Sequence, residues 1–250
     1  MSMNSETHLV HTKPINIESG CPLFSIDYRL APENPYPNGL EDCWNVYSWM
    51  VNTGLSQMNL FPEKIVLIGD SAGGNLITSL TTICVMNNFR IPDLLIPIYP
   101  VFQMTSDVLL PSVMFSLTDP LLNTGFGGLV FSAYTGGDKS LKKSYMISPL
   151  RMPDEILEKF PPIRIILGTK DPLRDESYLF MERCISLKLD ARLTELNHFP
   201  HGFMNYATNS NNAKQEKGIP TIKGHEVGIS KIVSWIQEFS QLSVKIKAKL

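Results

Sequence analysis

The chain has 250 residues, 43% of them hydrophobic and 18% charged, with a formal net charge of −2. That length can bury one sizeable core, and the charge balance gives no reason to expect nucleic acid or an anionic membrane as the main partner. Cys21, Cys43, Cys84 and Cys184 are widely separated and form no C-x-x-C pair, which argues against a zinc site or a disulfide framework and for buried free thiols.

There is no Asn-x-Ser/Thr sequon, no apolar leader at the polar N-terminus, and no uninterrupted apolar run of membrane-spanning length. These features predict a cytoplasmic protein without a transmembrane segment. Lys245, Lys247 and Lys249 read as a solvated basic end.

In chain order, residues 1–20 are polar and aperiodic and predict at most a weak helix before Gly20. Pro22–Tyr28 reads as a strand, and Arg29–Pro37 as a proline-stiffened loop unable to join a sheet. Leu40, Cys43, Trp44, Tyr47, Met50 and Val51 repeat at helical spacing. Ile65–Ile68 is a buried strand, and Leu76, Leu80, Ile83 and Cys84 mark one face of the helix that follows. Asp93–Tyr99 is another apolar strand, in which Pro97 demands a bulge or an unpaired position.

Residues 103–160 lack a strand–helix rhythm and are expected to form a cap-like excursion of short helices over the sheet's functional edge. Regularity returns with a strand at Ile163–Leu167, a helix at Ser177–Leu187 and a strand at Ala191–Leu196. A loop over 209–218 precedes an amphipathic helix through Ile229, Ile232, Val233, Ile236 and Phe239. The alternation predicts an α/β fold, one domain over residues 1–250, with a largely parallel sheet covered by helices on both faces.

Residues 64–75 carry the first chemical signal. The apolar run Ile65–Ile68 breaks into Gly69-Asp70-Ser71-Ala72-Gly73, the G-x-S-x-G setting of a nucleophilic serine at a strand–helix turn. A hydroxyl at the apex of so tight a turn needs near-absent side chains two residues away on each side, where bulk would meet the adjacent strand and helix. Asp70 flanks the nucleophile and is expected to point away from the substrate into a structural hydrogen bond.

A serine hydroxyl is a poor nucleophile until a base takes its proton, and the base must be oriented by an acid. In this architecture the chain order is Ser, then Asp or Glu, then His, and reactive groups gather beyond the carboxyl ends of parallel strands. Two such ends follow Ser71. One opens into Gly168-Thr-Lys-Asp171 and the other into Asn197-His-Phe-Pro-His201, so Asp171 and His201 are the expected acid and base. Asp175 fits a helix start better. His198 is the alternative base, with His201 preferred on its His-Gly-Phe turn, and His8, His11 and His225 read as surface residues.

Asp27–Glu33, Gly69–Asn75, Asp171–Asp175 and His201–Phe203 together resemble the hormone-sensitive lipase family of α/β-hydrolases. Ser116–Leu122, Ser132–Tyr134 and Ser148–Leu150 extend the likeness, which runs from about Thr7 to the last helix and lies nearer the lipase that names the family than its shorter bacterial esterases. The resemblance implies hydrolysis of apolar acyl esters by Ser71, Asp171 and His201 without metal or organic cofactor, on a small-molecule ester or lipid substrate; it would also allow contact with a lipid-droplet surface. The family's long regulatory insertion has no counterpart between Ser132 and Ser148, so its phosphorylation control does not carry over.

The family's oxyanion hole implies two donors: the N–H after the nucleophile, here Ala72, and a His-Gly-Gly-Gly loop, a motif this sequence does not contain. Met1–His8 resembles the segment just downstream of that loop, so the chain is expected to be N-terminally truncated relative to the family. The strand bearing that loop would lie between Pro22–Tyr28 and the nucleophile strand, and both are expected to lose ladder partners. Two explanations stay open: a protein that starts further upstream, or a damaged copy with little activity. The second functional reading is a catalytically impaired or non-catalytic member that binds a hydrophobic small molecule, as plant gibberellin receptors resembling this family do. A prolyl-oligopeptidase-type peptidase fits the Asp27–Glu33 and Asp171–Asp175 motifs less well.

Overall fold

The structure is a computed structural model that describes residues 4–104, 110–123, 125–205 and 221–247. Its helices are α1 (Ser5–Ser19), α2 (Asn38–Trp49), α3 (Leu55–Gln57), α4 (Ala72–Met86), α5 (Phe126–Thr135), α6 (Asp154–Leu157), α7 (Arg174–Ser186) and α8 (Thr221–Lys247). Its strands are β1 (Val66–Asp70), β2 (Leu94–Ile98), β3 (Ile163–Gly168) and β4 (Ala191–Leu196). The residues form two compact units, Tyr28–His201, and Met3–Asp27 with Gly202–Leu250. Among the described residues no helix is long and apolar enough to cross a membrane.

The Tyr28–His201 unit holds a four-stranded sheet in the order β1-β2-β3-β4, with every neighbouring pair parallel. Leu95 and Ile96, on opposite faces of β2, are both buried, as are Ile165 and Ile166 of β3. Burial on both faces explains why these strands are continuous apolar runs rather than alternating ones. α4 packs on β1 and β2, and α7 on β3 and β4. One apolar cluster joins Leu40, Cys43 and Tyr47 of α2 to Leu76, Leu80 and Cys84 of α4. Another joins Ile77 to Leu95, Ile163, Ile165, Leu167, Phe180 and Cys184, and within it the Phe102 and Phe180 rings stack at 4.0 Å. Burial pushes the Cys43, Cys84 and Cys184 thiols up to about 12, so these are inert side chains. Cys21, expected to be buried with them, is only half-buried.

Pro97 sits in an unbroken register with β1, opposite Gly69. The Leu95 and Tyr99 N–H groups both point toward β3, so by the two-residue alternation of a strand the missing Pro97 donor faces β3 as well. There the recorded pairs are Leu95 with Ile163 and Ile98 with Ile166. The proline is therefore paired on its β1 side and unpaired on its β3 side, the second of the two expected solutions, with no bulge.

Three other expectations change. Pro22–Tyr28 is not a strand: β1 pairs with β2 alone among the described strands, and an apolar run without a ladder partner has nothing to pair its backbone with. Residues 5–19 form a full helix rather than a weak one. Its N-terminus is closed by a reciprocal Asn4–Thr7 capping box and its C-terminus by Gly20 in the left-handed region at φ 69°. His11 and His225, read as surface residues, are buried.

Within the unit Met3–Asp27 with Gly202–Leu250, α1 packs along α8, and the Gln237 side chain donates to the Glu18 carbonyl at 3.2 Å. Ile229, Ile232, Val233 and Ile236 line the buried stripe of α8, the face that the sequence spacing predicts. His225 Nδ1 bonds the Met204 carbonyl at 2.7 Å, and Asp27 accepts the Ser5 N–H and hydroxyl at 2.6 and 2.7 Å. α8 takes in Lys245 and Lys247 of the expected basic end. Lys249 and the expected loop at 209–218 lie outside the described residues.

Between 103 and 160 the described residues hold short helices and no strand: 3-10 turns at Pro111–Leu117, Lys139–Lys143 and Pro149–Arg151, and α5 and α6.

Candidate functional site

β1 ends at Asp70 and α4 begins at Ala72, so a single residue makes the turn between them. That residue is Ser71, at φ 53° and ψ −113°, a conformation that a non-glycine residue holds at a cost of roughly 1–3 kcal/mol. The turn is pinned from both sides: the Ser71 N–H donates to the Ile98 carbonyl at 2.9 Å, and the Ser71 carbonyl accepts from Val101 and Asn75, each at 3.3 Å. Ala72 opens α4, so its N–H belongs to the first turn, where helix amides lack intrahelical partners and favour negative charge.

The elbow's glycines differ in what they do. A Cβ on Gly69 would lie 2.3 Å from the Gly73 carbonyl oxygen, and one on Gly74 would lie 2.7 Å from Pro100 Cβ. A Cβ on Gly73 would meet only Asp70 Oδ1, at 4.0 Å. The crowding expected at Gly73 is thus found one residue later, at Gly74, which no pentapeptide motif marks.

Two loops carry the other candidates. Asp171 follows β3 and His201 follows β4, and the loops are zipped together. Thr169 donates its N–H to the Leu196 carbonyl at 3.0 Å and Lys170 to the Phe199 carbonyl at 3.0 Å, while the Thr169 hydroxyl accepts the His198 N–H at 2.8 Å. Gly168 permits this approach, since a Cβ there would sit 2.1 Å from the Phe199 carbonyl oxygen.

The structure brings Ser71, His201 and Asp171 together. His201 Nε2 lies 2.9 Å from Ser71 Oγ, and His201 Nδ1 lies 2.9 Å from Asp171 Oδ2. With the carboxylate accepting the Nδ1 proton, Nε2 presents its lone pair to the serine hydroxyl. Asp171 Oδ1 accepts the Leu173 N–H at 2.8 Å, which holds the carboxylate in place. Both Asp171 and His201 are buried, at 0% and 1% exposure, so their attraction is little screened. Burial alone opposes the imidazolium, but the Asp171 charge and hydrogen bond, with smaller contributions from Asp119 and Asp70, outweigh it and hold His201 above its ordinary range.

His198, the alternative base, is exposed, at φ 70°, and is tied through its backbone to Thr169. Asp175 lies in the first turn of α7, where it accepts the Ser112 N–H at 2.7 Å and pairs with Arg174 at 2.8 Å. Asp70 Oδ2 accepts the Tyr99 hydroxyl at 3.4 Å, a structural contact of the kind expected of it. Within the Tyr28–His201 unit, the described residues include no group of three His, Cys, Asp or Glu side chains placed to share an ion.

Three neighbours escape sequence reading. The Tyr99 ring meets the His201 imidazole edge-on, centroids 4.9 Å apart; its place just past the end of β2 was a usable signal, because that is where such sites collect. Asp119 Oδ2 accepts the His201 N–H at 3.0 Å. Glu176 is buried and accepts the Phe102 N–H at 2.7 Å. Desolvation raises its carboxyl well above the usual range despite hydrogen bonds from Phe102 and Gln103 that work against the rise, and the nearby Asp171 charge adds to it.

A family model described as alpha/beta hydrolase fold matches residues 2–205. Mouse hormone-sensitive lipase is 39% identical over 136 residues, which are 54% of this chain and 18% of that protein. The carboxylesterase NlhH of Mycobacterium tuberculosis is 29% identical over 185 residues, 73% of this chain and 56% of its own length. The chain therefore spans a small part of the first relative and little more than half of the second. Among solved structures, the hyperthermophilic esterase of the archaeon Pyrobaculum calidifontis superposes with a TM-score of 0.83 at 25% identity, over 95% of this chain and 73% of that one. Carboxyl esterase 2 of the fungus Tuber melanosporum shares the fold, with a TM-score of 0.82 at 24% identity, over 94% of this chain and 74% of that one. On the match over residues 2–205 and the identities to hormone-sensitive lipase, the chain belongs to the hormone-sensitive lipase family, the fold-3 branch of the α/β-hydrolases.

Proposed function

We propose that this chain hydrolyses carboxylic esters with apolar acyl groups, through an acyl-enzyme on Ser71. The observation that carries the reading is the relay of Ser71 Oγ to His201 Nε2 and His201 Nδ1 to Asp171 Oδ2, each at 2.9 Å. His201 takes the Ser71 proton as Oγ attacks the ester carbonyl carbon, and the carbonyl oxygen becomes an oxyanion facing the Ala72 N–H at the start of α4. The imidazolium, stabilised by Asp171, gives that proton to the departing alkoxide, which leaves as the alcohol. A water molecule then repeats the attack, with His201 again as base, and releases the acid and free Ser71. These steps call on no metal or organic cofactor. The esterase and lipase relatives support the substrate class. The segment between 103 and 160 is proposed as a cap that shapes the acyl pocket.

A fluorophosphonate probe should label the folded chain at Ser71, and Ser71→Ala should abolish the labelling. A folded chain that the probe leaves untouched would refute the reading.

A further inference from the structure

The segment 111–122 is tied to both loops that carry the acid and the base. At one end, Ser112 donates its N–H to Asp175 Oδ2 at 2.7 Å and its hydroxyl to the Pro172 carbonyl at 2.9 Å. The Asp175 N–H returns a bond to the Ser112 hydroxyl at 3.2 Å, and the Arg174 guanidinium lies 5.2 Å over the Phe115 ring. At the other end stands Asp119, 6% exposed. Its Oδ1 accepts the Leu121 and Leu122 N–H groups at 2.9 and 2.7 Å, and its Oδ2 accepts the His201 N–H at 3.0 Å. Three donors hold this carboxylate, and two of them belong to its own segment.

We propose that Asp119 is a positioning residue for the base: it anchors the backbone of His201, and so sets where the imidazole lies between Ser71 and Asp171. The proposal rests on the triad reading above. Asp171 grips His201 only by its ring. The turn that carries His201 has left-handed backbone at His198 (φ 70°) and Gly202 (φ 72°), so it is no regular element that could fix the side chain by itself. The main-chain bond to Asp119 is the second handle. Displacing a catalytic group by an ångström can cost about 10²-fold in rate, which is the scale on which such an anchor acts.

Asp119 also adds charge. The groups facing His201 are the Asp171, Asp119 and Asp70 carboxylates and the edge of the Tyr99 ring. All three carboxylates favour the imidazolium, so removing one lowers the pH at which His201 titrates.

The test uses the full chain with Asp119→Asn, Asp119→Ala and, as a control, Ser112→Ala, which loosens the same segment without removing charge. Two readouts are needed: the rate at which a fluorophosphonate probe modifies Ser71, and the His201 titration followed by NMR of the imidazole. Both Asp119 variants should slow the modification by about 10- to 100-fold at saturating probe, with little change in half-saturating concentration, and should move the His201 titration to lower pH. Ser112→Ala should slow the modification less and leave the titration in place. Folded Asp119 variants with wild-type rate and titration would overturn the proposal. If neither variant folds, the wild type decides: the His201 amide must exchange slowly with solvent and show a through-hydrogen-bond NMR coupling to the Asp119 carboxyl carbon, as its 3.0 Å bond to Oδ2 requires, and an amide without that coupling overturns the anchor. Failure of the wild type to react at Ser71 would count against the hydrolase reading, while the two NMR readouts would still decide the role of Asp119.

Discussion

Gly69 and Gly73 meet backbone to backbone: a Cβ on Gly69 would lie 2.3 Å from the Gly73 carbonyl oxygen and 2.4 Å from its carbon. Neither is the end of a flexible side chain that could move aside. Gly69→Ala must therefore part β1 from the first turn of α4, and overpacking of that kind costs about 3 kcal/mol. Gly74→Ala presses on Pro100 and should also destabilise. Gly73→Ala makes only an ordinary van der Waals contact, with Asp70 Oδ1 at 4.0 Å, and should change stability by no more than about 1 kcal/mol, the ordinary helix-propensity difference between these residues. Thermal unfolding of the three variants, with fluorophosphonate labelling alongside, checks this order.

On the proposed mechanism His201 must be neutral to accept the Ser71 proton, so kcat/KM should rise with pH through the histidine's titration. Because the neighbouring carboxylates raise that titration against the opposing effect of burial, the midpoint of the rising limb should lie above about 6.5, the ordinary histidine value. Asp171→Asn removes the strongest favourable charge. It should move the limb to lower pH and reduce kcat by roughly 10³- to 10⁴-fold. The same sign governs stability: the His201 contribution is fully present below its unfolded value and is lost as pH rises through the folded one. A pH–rate profile of wild type and variant is the measurement.

Glu176 should behave in the opposite sense to an ordinary salt-bridged carboxylate. Its folded value lies above its unfolded one, so the folded state binds the proton more tightly and stability falls as pH rises above about 4.5. Glu176→Gln keeps an oxygen able to accept the Phe102 N–H and has no charge to bury. It should match wild type at pH 4 and melt about 2–4 °C higher at pH 8, the shift expected for 1 kcal/mol in a domain of this size. Melting curves at the two pH values decide it.

The two histidines three residues apart should separate cleanly. His198→Asn suits the left-handed backbone that His198 adopts at φ 70°, and probe labelling should stay within about twofold of wild type. His201→Asn removes the only imidazole bonded to Ser71 among the described residues and should lower labelling by 10³-fold or more, on the order seen when a triad member is lost. Comparable losses in both variants would show that the base is not His201 alone.

What could be read in the chain depended on how local the signal was. The elbow at Gly69–Gly73, the strands that became β1 to β4 and the buried stripe of α8 are short-range patterns, carried by residues within a few positions of one another. α1 is longer and firmer than residues 1–20 suggest, because its residues are polar on most sides. Its stability comes from the Asn4–Thr7 capping box, the Gly20 cap and packing on α8, and the last of these has no trace in residues 1–20. The strand expected at Pro22–Tyr28 has the right composition and no ladder partner, and composition cannot supply one.

The sequence by itself determined the fold class, the family, and the order Ser71, Asp171, His201 just past the ends of β1, β3 and β4, because strand-end rules and a strained turn are written into neighbouring residues. Only the tertiary structure decided that these three groups lie within hydrogen-bond reach, that Gly74 rather than Gly73 is the crowded position, and that two further carboxylates serve the same region. Asp119 meets the His201 backbone across 82 residues of chain, and Glu176 meets Phe102 across 74. A hydrogen bond between distant loops depends on how the sheet and helices bring those loops together, and no local pattern in either partner records it.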